Sequence, residues 1–323
     1  MSETDISSPR TARLAWITII VNLAVIVWGA FVRASHSGAG CGNHWPLCNG
    51  EVVPTSPSLE TLVELTHRIT SGLALLLVIA LLVVVRRVFP ARHRTRIAAW
   101  VALLVIIAEA LIGAGLVHFE LVGDNASLER ALTLGAHLLN TLILLAALTG
   151  IAVWSTGVPR LRFRALGGRG WLLALGTLGL VVVSTTGAIA SLGDTLFPAR
   201  SLREGLAQDL DPTSHLLLRL RVLHPTFAVS VGALVLWVAT VAPRWSANVD
   251  ASARRVVAIV LLQWTVGVVS LLLLVPVPMQ LVHLVIADLL WISWLVLVAT
   301  LLADQSARAL RSSDATARAA SAS

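Results

Sequence analysis

The sequence predicts an all-α integral membrane protein, with eight transmembrane helices arranged as two pseudo-twofold-related four-helix bundles. Three observations lead there. The 323 residues are 57% hydrophobic and only 13% charged, with a mean hydropathy of +0.85, whereas a soluble domain is about half apolar and about a quarter charged. Eight apolar runs reach the roughly 20 residues that a helix needs to cross a bilayer. Glycine and histidine landmarks recur in the last four runs in the order, and near the spacing, that they have in the first four.

The expected spans are 14–33, 66–86, 97–117, 131–153, 171–191, 216–240, 255–275 and 280–302. Residues 1–153 make the first bundle and 171–303 the second. Between them, 154–170 is an Arg-rich connector, and 304–323, rich in Ala, Ser and Arg, reads as a disordered tail. The first eleven residues are polar, carry Glu3 and Asp5, and lack a cleavable signal pattern, so the first span serves as an anchor.

All 24 basic residues are arginine and the net charge is +7. With the N-terminus inside, 17 of them fall in inner segments, including Arg86, Arg87, Arg92, Arg94 and Arg96 after the second span. This is the positive-inside bias. The basic balance thus reports topology, with both termini on the cytoplasmic side of a bacterial plasma membrane, and calls for the lipid bilayer and no nucleic acid as partner.

Both cysteines, Cys41 and Cys48, lie in the outer loop 34–64, in "GCGNHWPLCNG". An oxidising outer location favours a disulfide. A metal held by Cys41, His44 and Cys48 is the alternative, weak because three ligands stand without a second cluster.

The repeat aligns Gly29 with Gly187, "EALIG" (109–113) with "QWTVG" (263–267), and His137 with His283. His67 follows Gly29 by 38 residues and His224 follows Gly187 by 37. Four spans separate the copies, so the repeats are parallel, about an axis along the membrane normal. His67, His137, His224 and His283 lie on even-numbered spans, each within about two turns of the helix start, and so at similar depth in the outer half of the bilayer. The remaining histidines, His36, His44, His93, His118 and His215, read as loop or interfacial residues. Zinc asks for about four ligands, often with thiolate or carboxylate; a porphyrin iron needs only axial ligands, which histidine supplies. Two haem-like sites, one per half, follow.

The halves differ. "ELTHRIT" in the first aligns with "RVLHPTF" in the second, so Glu64 meets Arg221 and Arg68 meets Pro225. Glu64 lies three residues before His67 and shares its helix face, a place from which a carboxylate can take or give protons. The other reading of Glu64 is an i,i+4 ion pair with Arg68, compatible with the first. Arg221 suits a propionate, and Arg33 a propionate or a lipid headgroup. Glu109 and Asp288 are buried acids that serve either a proton relay or a hydrogen bond to a neighbouring hydroxyl.

The stretches "GAFVRASHSGAGCGNHWPLCNG" (29–50) and "ELTHR" (64–68), with the later His137, His224 and His283, resemble the haem A synthases of bacterial and mitochondrial membranes, over about residues 14–302. The resemblance implies oxidation of a ring methyl of haem O to the formyl of haem A, by successive hydroxylations and loss of water from a gem-diol, for aa3-type cytochrome oxidase. It implies Glu64 as the catalytic carboxylate, His67 and His137 flanking the substrate haem O, and His224 and His283 as axial ligands of a resident haem b. It also implies a Cys41–Cys48 disulfide, haem O synthase as the upstream partner, and an electron donor or acceptor in the membrane, with a homo-oligomer left open. The chain departs from the family at Glu109, where glutamine is expected, and at Pro225, where arginine often follows the third histidine. Two readings compete. A di-haem b cytochrome exchanging electrons with quinone explains the four histidines but gives Glu64 no task, and a repeat-built transporter lacks a broken-helix pair at the midplane.

Overall fold

The computed structural model describes residues 6–158 and 167–321, and the side chains of all of these except 247 and 305–321. Among the described residues ten α-helices follow one another: α1 (Pro9–Ala34), α2 (Leu59–Val88), α3 (Arg94–His118), α4 (Leu128–Trp154), α5 (Gly168–Leu196), α6 (Leu202–Leu210), α7 (Leu216–Arg221), α8 (Leu223–Val241), α9 (Asp250–Leu272) and α10 (Val277–Ser321). Eight stretches are long and apolar enough to cross a membrane, with α7 and α8 counting together as Leu216–Arg244. Extended pairing among the described residues is confined to an isolated bridge between Cys48 and Glu51. In hydrocarbon a helix satisfies its own backbone, which is why a multi-pass chain of this composition is all helical.

Serine hydroxyls set four of the α-helix starts. Ser8, Ser58, Ser127 and Ser201 accept from the backbone N–H of Thr11, Thr61, Arg130 and Glu204 at 3.3, 3.2, 3.2 and 3.2 Å, each meeting a donor that the first turn leaves without an intrahelical acceptor. Because Ser58 caps α2, this helix begins seven residues before the expected 66. Glu64 is therefore helical together with His67 and Arg68, as their shared face requires. The sixth span is divided at Val222 into α7 and α8. Pro225 has no N–H to offer the carbonyl of Arg221 and its ring crowds that carbonyl, so the helix breaks there. The polar α6 was not expected. The last helix continues to Ser321, through the segment from 304 expected to be disordered, since alanine and arginine are strong helix formers. Arg160, Arg162 and Arg164 of the expected connector lie outside the described residues.

Helices α1, α2, α3 and α4 close into one ring of neighbours and α5, α8, α9 and α10 into another. The rings meet where α4 packs on α5 and α10, and where α1 packs on α10. Trp291 Nε1 on α10 donates to the carbonyl of Leu142 on α4 at 3.0 Å, across that junction.

The core has layers. On every spanning helix the main cluster of buried apolar residues lies toward the end that carries the chain termini. It reaches no further than Ile19, Ala74, Ile106, Leu142, Leu180, Val235, Val260 and Leu290 on the eight spans in order. A small second cluster of Ala131, Leu192 and Leu217 closes the opposite end, near the loops. All four paired histidines lie between these clusters and are only half-buried.

Candidate functional site

At the histidine level, glycines on the neighbouring helices let imidazole rings lie against bare backbone. A Cβ on Gly29 of α1 would stand 2.8 Å from His67 Cε1. One on Gly187 of α5 would stand 2.9 Å from His224 Cε1, and one on Gly267 of α9 would stand 3.2 Å from His283 Cε1. The first two distances are shorter than real carbon contacts allow, so glycine is required for close approach rather than for backbone freedom. Gly113, the first-half counterpart of Gly267, has nothing within 4 Å of such a Cβ, and here the two halves part.

His224 and His283 are neighbours, with ring centres 6.2 Å apart and ring planes at 85°. A metal–imidazole bond is about 2.0 Å and the ring centre lies about 1.1 Å behind the nitrogen, so two rings gripping one ion from opposite sides stand about 6 Å apart. The pair has the spacing for a single metal. His224 Nδ1 lies 3.2 Å from the carbonyl oxygen of Val183, the outer hydrogen bond by which a ligating imidazole is usually oriented, and this leaves Nε2 for the metal. His283 Nε2 lies 3.1 Å from Gln263 Nε2, while His283 Nδ1 and Gln263 Oε1 are buried without a hydrogen-bond partner.

In the first half, Nδ1 of His67 is buried without a hydrogen bond, and Nδ1 of His137 lies 3.3 Å from Glu109 Oε1, an ion-pair contact without hydrogen-bond geometry. Buried polar atoms normally find partners. Unpartnered ring nitrogens on His67 and His283, at one level between two apolar layers, suit a flat apolar macrocycle whose iron supplies the missing partner. A zinc centre is a poorer match, since no group of three His, Cys, Asp or Glu residues with metal-binding geometry occurs among the described residues.

Glu64 is 3% exposed, and both its oxygens are engaged. Oε2 accepts from the backbone N–H of Cys41 at 2.8 Å, and Oε1 accepts from the Arg68 guanidinium, through Nε at 3.1 Å and through its neighbour NH2. Arg68 NH1 in turn donates to the carbonyls of His44 and Leu47 at 2.7 Å each. The ion-pair reading of Glu64 is therefore realised, and the pair binds the outer loop onto α2 one turn from His67. Cys41 and Cys48 form a disulfide, which removes the alternative of a metal at Cys41, His44 and Cys48. In the loop-entropy picture a bridge across so short a loop contributes about 2 kcal/mol. Replacing both cysteines by serine is expected to lower the thermal midpoint by a few degrees, measured in detergent, with the helix content unchanged.

Two arginines differ from expectation. Arg221, read as a propionate holder, is already neutralised: NH1 lies 2.7 Å from Asp194 Oδ1 and NH2 2.6 Å from Asp209 Oδ1. Arg33 does not reach outward; its NH2 donates to Ser191 Oγ at 2.8 Å, joining α1 to α5 across the junction of the rings. Glu109 accepts from Asn140 and Thr141, the hydrogen-bonded alternative foreseen for it. Asp288 is 2% exposed and its Oδ2 has no hydrogen-bond partner. His36 pairs with Asp124 at 3.0 Å, and His93 and His215 cap α3 and α7. Asn140 and Thr141 were missed in sequence, although they lie three and four residues after His137 and so on its face of α4.

The sequence pattern of the COX15-CtaA family, cytochrome oxidase assembly protein, matches residues 12–295. The chain belongs to this family. Among its relatives, a protein named protoheme IX farnesyltransferase from Thermus thermophilus is 44% identical over 295 residues, which cover 91% of this chain and 48% of that protein. A haem A synthase from Halalkalibacterium halodurans is 41% identical over 132 residues, 41% of this chain and 44% of the relative. Another from Bacillus mycoides is 40% identical over 107 residues, 32% of this chain and 34% of the relative. The matches thus span about half of these relatives' own length, or less. The family match covers all four paired histidines, Glu64 and the disulfide loop.

Proposed function

We propose that this chain is a haem A synthase, which oxidises the methyl group of haem O to the formyl group of haem A for cytochrome oxidase assembly. The observation that carries this reading is an asymmetry. Two similar pairs of histidines occupy one level, yet only the first has a buried carboxylate, Glu64, one helical turn from a ligand. A pure electron carrier has no use for that carboxylate beyond the loop anchoring it shares with Arg68. The family and the two relatives named as haem A synthases support the same reading.

In this reading His67 and His137 hold the substrate haem O, and His224 and His283 hold haem b, which supplies one-electron transfer when bound. Glu64 faces the substrate side of His67 and takes up one of the two protons released as water oxygen replaces a hydrogen in each hydroxylation, the two electrons leaving singly by way of the second half to the membrane acceptor. The Cys41 N–H and Arg68 hold its oxygens in place for that task. The second hydroxylation gives a gem-diol, which loses water to leave the formyl. We place the termini in the cytoplasm of a bacterial plasma membrane, on the positive-inside bias, and the histidine level in the outer half of a pseudo-twofold pair of bundles. The name of the Thermus relative describes farnesyl transfer to protoheme IX, and a membrane enzyme of that type, haem O synthase, is the supplier that this substrate requires. A membrane electron acceptor completes the cycle.

The test is the pigment extracted from the purified chain after expression with a haem O supply. Haem O or haem A together with haem b is expected; haem b alone, two per chain, would indicate the di-haem cytochrome instead. Close approach at Gly187 gives a further prediction. Gly187→Ala forces the His224 ring aside, an overpacking cost of about 1–3 kcal/mol, so the affinity of the second half for haem b is expected to drop about tenfold or more, read from a haemin titration of the purified protein.

A further inference from the structure

Glu109 stands at the place that Gln263 takes in the second half, and the residues around the two differ in step. Glu109 Oε1 lies 3.3 Å from Nδ1 of His137, with the two side chains 20% and 28% exposed. The carboxyl group is fixed by two donors from the helix that carries this histidine, Asn140 Nδ2 and Thr141 Oγ1. Asn140 is itself tied to α3 by a 2.9 Å bond to the carbonyl of Val105. Counting the same three and four residues on from His283 reaches Ile286 and Ala287, which can donate nothing. There the neutral Gln263 amide meets the imidazole without further support. The first half therefore has an acid together with the groups that hold it against a ligand imidazole, and the second half has neither.

We propose that Glu109 is a positioning residue for the first-half haem: it orients the His137 ring through Nδ1, presents Nε2 to the iron, and makes this imidazole the more electron-rich of the four ligands. A carboxylate held beside the outer nitrogen of an imidazole favours the tautomer that carries its proton there and makes the ring a stronger base toward its metal. A more basic axial ligand favours the oxidised iron, so the first-half haem has the lower reduction potential of the two. Electrons then pass from the first half, where the substrate is oxidised, to the second, where neutral Gln263 leaves the potential higher. This direction follows from the chain's own residues and rests on the proposed assignment of one haem to each half.

The experiment is a spectroelectrochemical redox titration of the full-length protein in detergent, loaded with haemin. Wild type, Glu109→Gln, and Gln263→Glu are compared, with haem-to-protein ratios measured alongside. Glu109→Gln is expected to raise the lower midpoint potential and leave the upper unmoved, at unchanged haem content; Gln263→Glu is expected to lower the upper one. Unchanged midpoints in both variants overturn the proposal while the haem sites stand. If Glu109→Gln fails to retain haem, the Gln263→Glu arm decides alone. A His137→Ala variant reads the underlying assignment separately: if it binds as much haem as wild type, the first-half site itself is wrong.

Discussion

Glu64→Gln is expected to lower conversion of haem O to haem A by about 100-fold or more, the range in which removal of a general acid or base falls, while haem content stays near wild type. Glutamine keeps the shape of the side chain and an oxygen for the Cys41 N–H at the 2.8 Å site. It loses the charge that pairs with Arg68 and the capacity to hold a proton. Glu64→Ala is the harsher test, because it also leaves the Cys41 amide and the Arg68 guanidinium unpaired. Breaking a buried pair costs several kcal/mol, so loop anchoring and activity fall together. The measurement is pigment analysis by chromatography after expression with a haem O supply, beside a haem-to-protein ratio for each variant. Equal loss of haem and of product in Glu64→Gln would mean that the carboxylate only holds the loop.

His224→Ala, or His283→Ala, is expected to empty the second half of haem while the first half keeps its own. With one of two rings 6.2 Å apart removed, the iron loses one axial bond and the other ring stands alone. Haem content should fall by about half, and the low-spin spectrum of the affected site should disappear. Weakening the bond from His224 Nδ1 to the Val183 carbonyl would give a milder version of the same effect, since it sets the ring without touching the metal.

Much of this was readable in the sequence, and the rest hides for identifiable reasons. Hydropathy locates all eight spans because each must be apolar for about 20 residues. It cannot locate the start of α2, which a single serine hydroxyl at Ser58 decides, nor α6, a nine-residue helix with no buried residue. The break before α8 is written in Pro225. The level shared by the four histidines follows from the repeat, and so does the contrast between Glu64 and Arg221. What Arg221 does with its charge does not: its partners Asp194 and Asp209 lie 27 and 12 residues away in the chain, and only folding brings them together. Glu109 likewise reads as a lone buried acid until Asn140 and Thr141 are seen to hold it. The glycines are an intermediate case. Their recurrence is visible in sequence, but the reason, imidazole carbons where a Cβ would stand, is not.

The most direct measurement counts haem irons per chain and reads their axial ligands by low-temperature electron paramagnetic resonance, in wild type and in alanine variants of His67, His137, His224 and His283. Two low-spin bis-imidazole irons per chain are predicted, one lost on changing either of the first two histidines and the other on changing either of the last two. One iron per chain whose signal survives every variant, or a single signal lost in all four, would contradict the account.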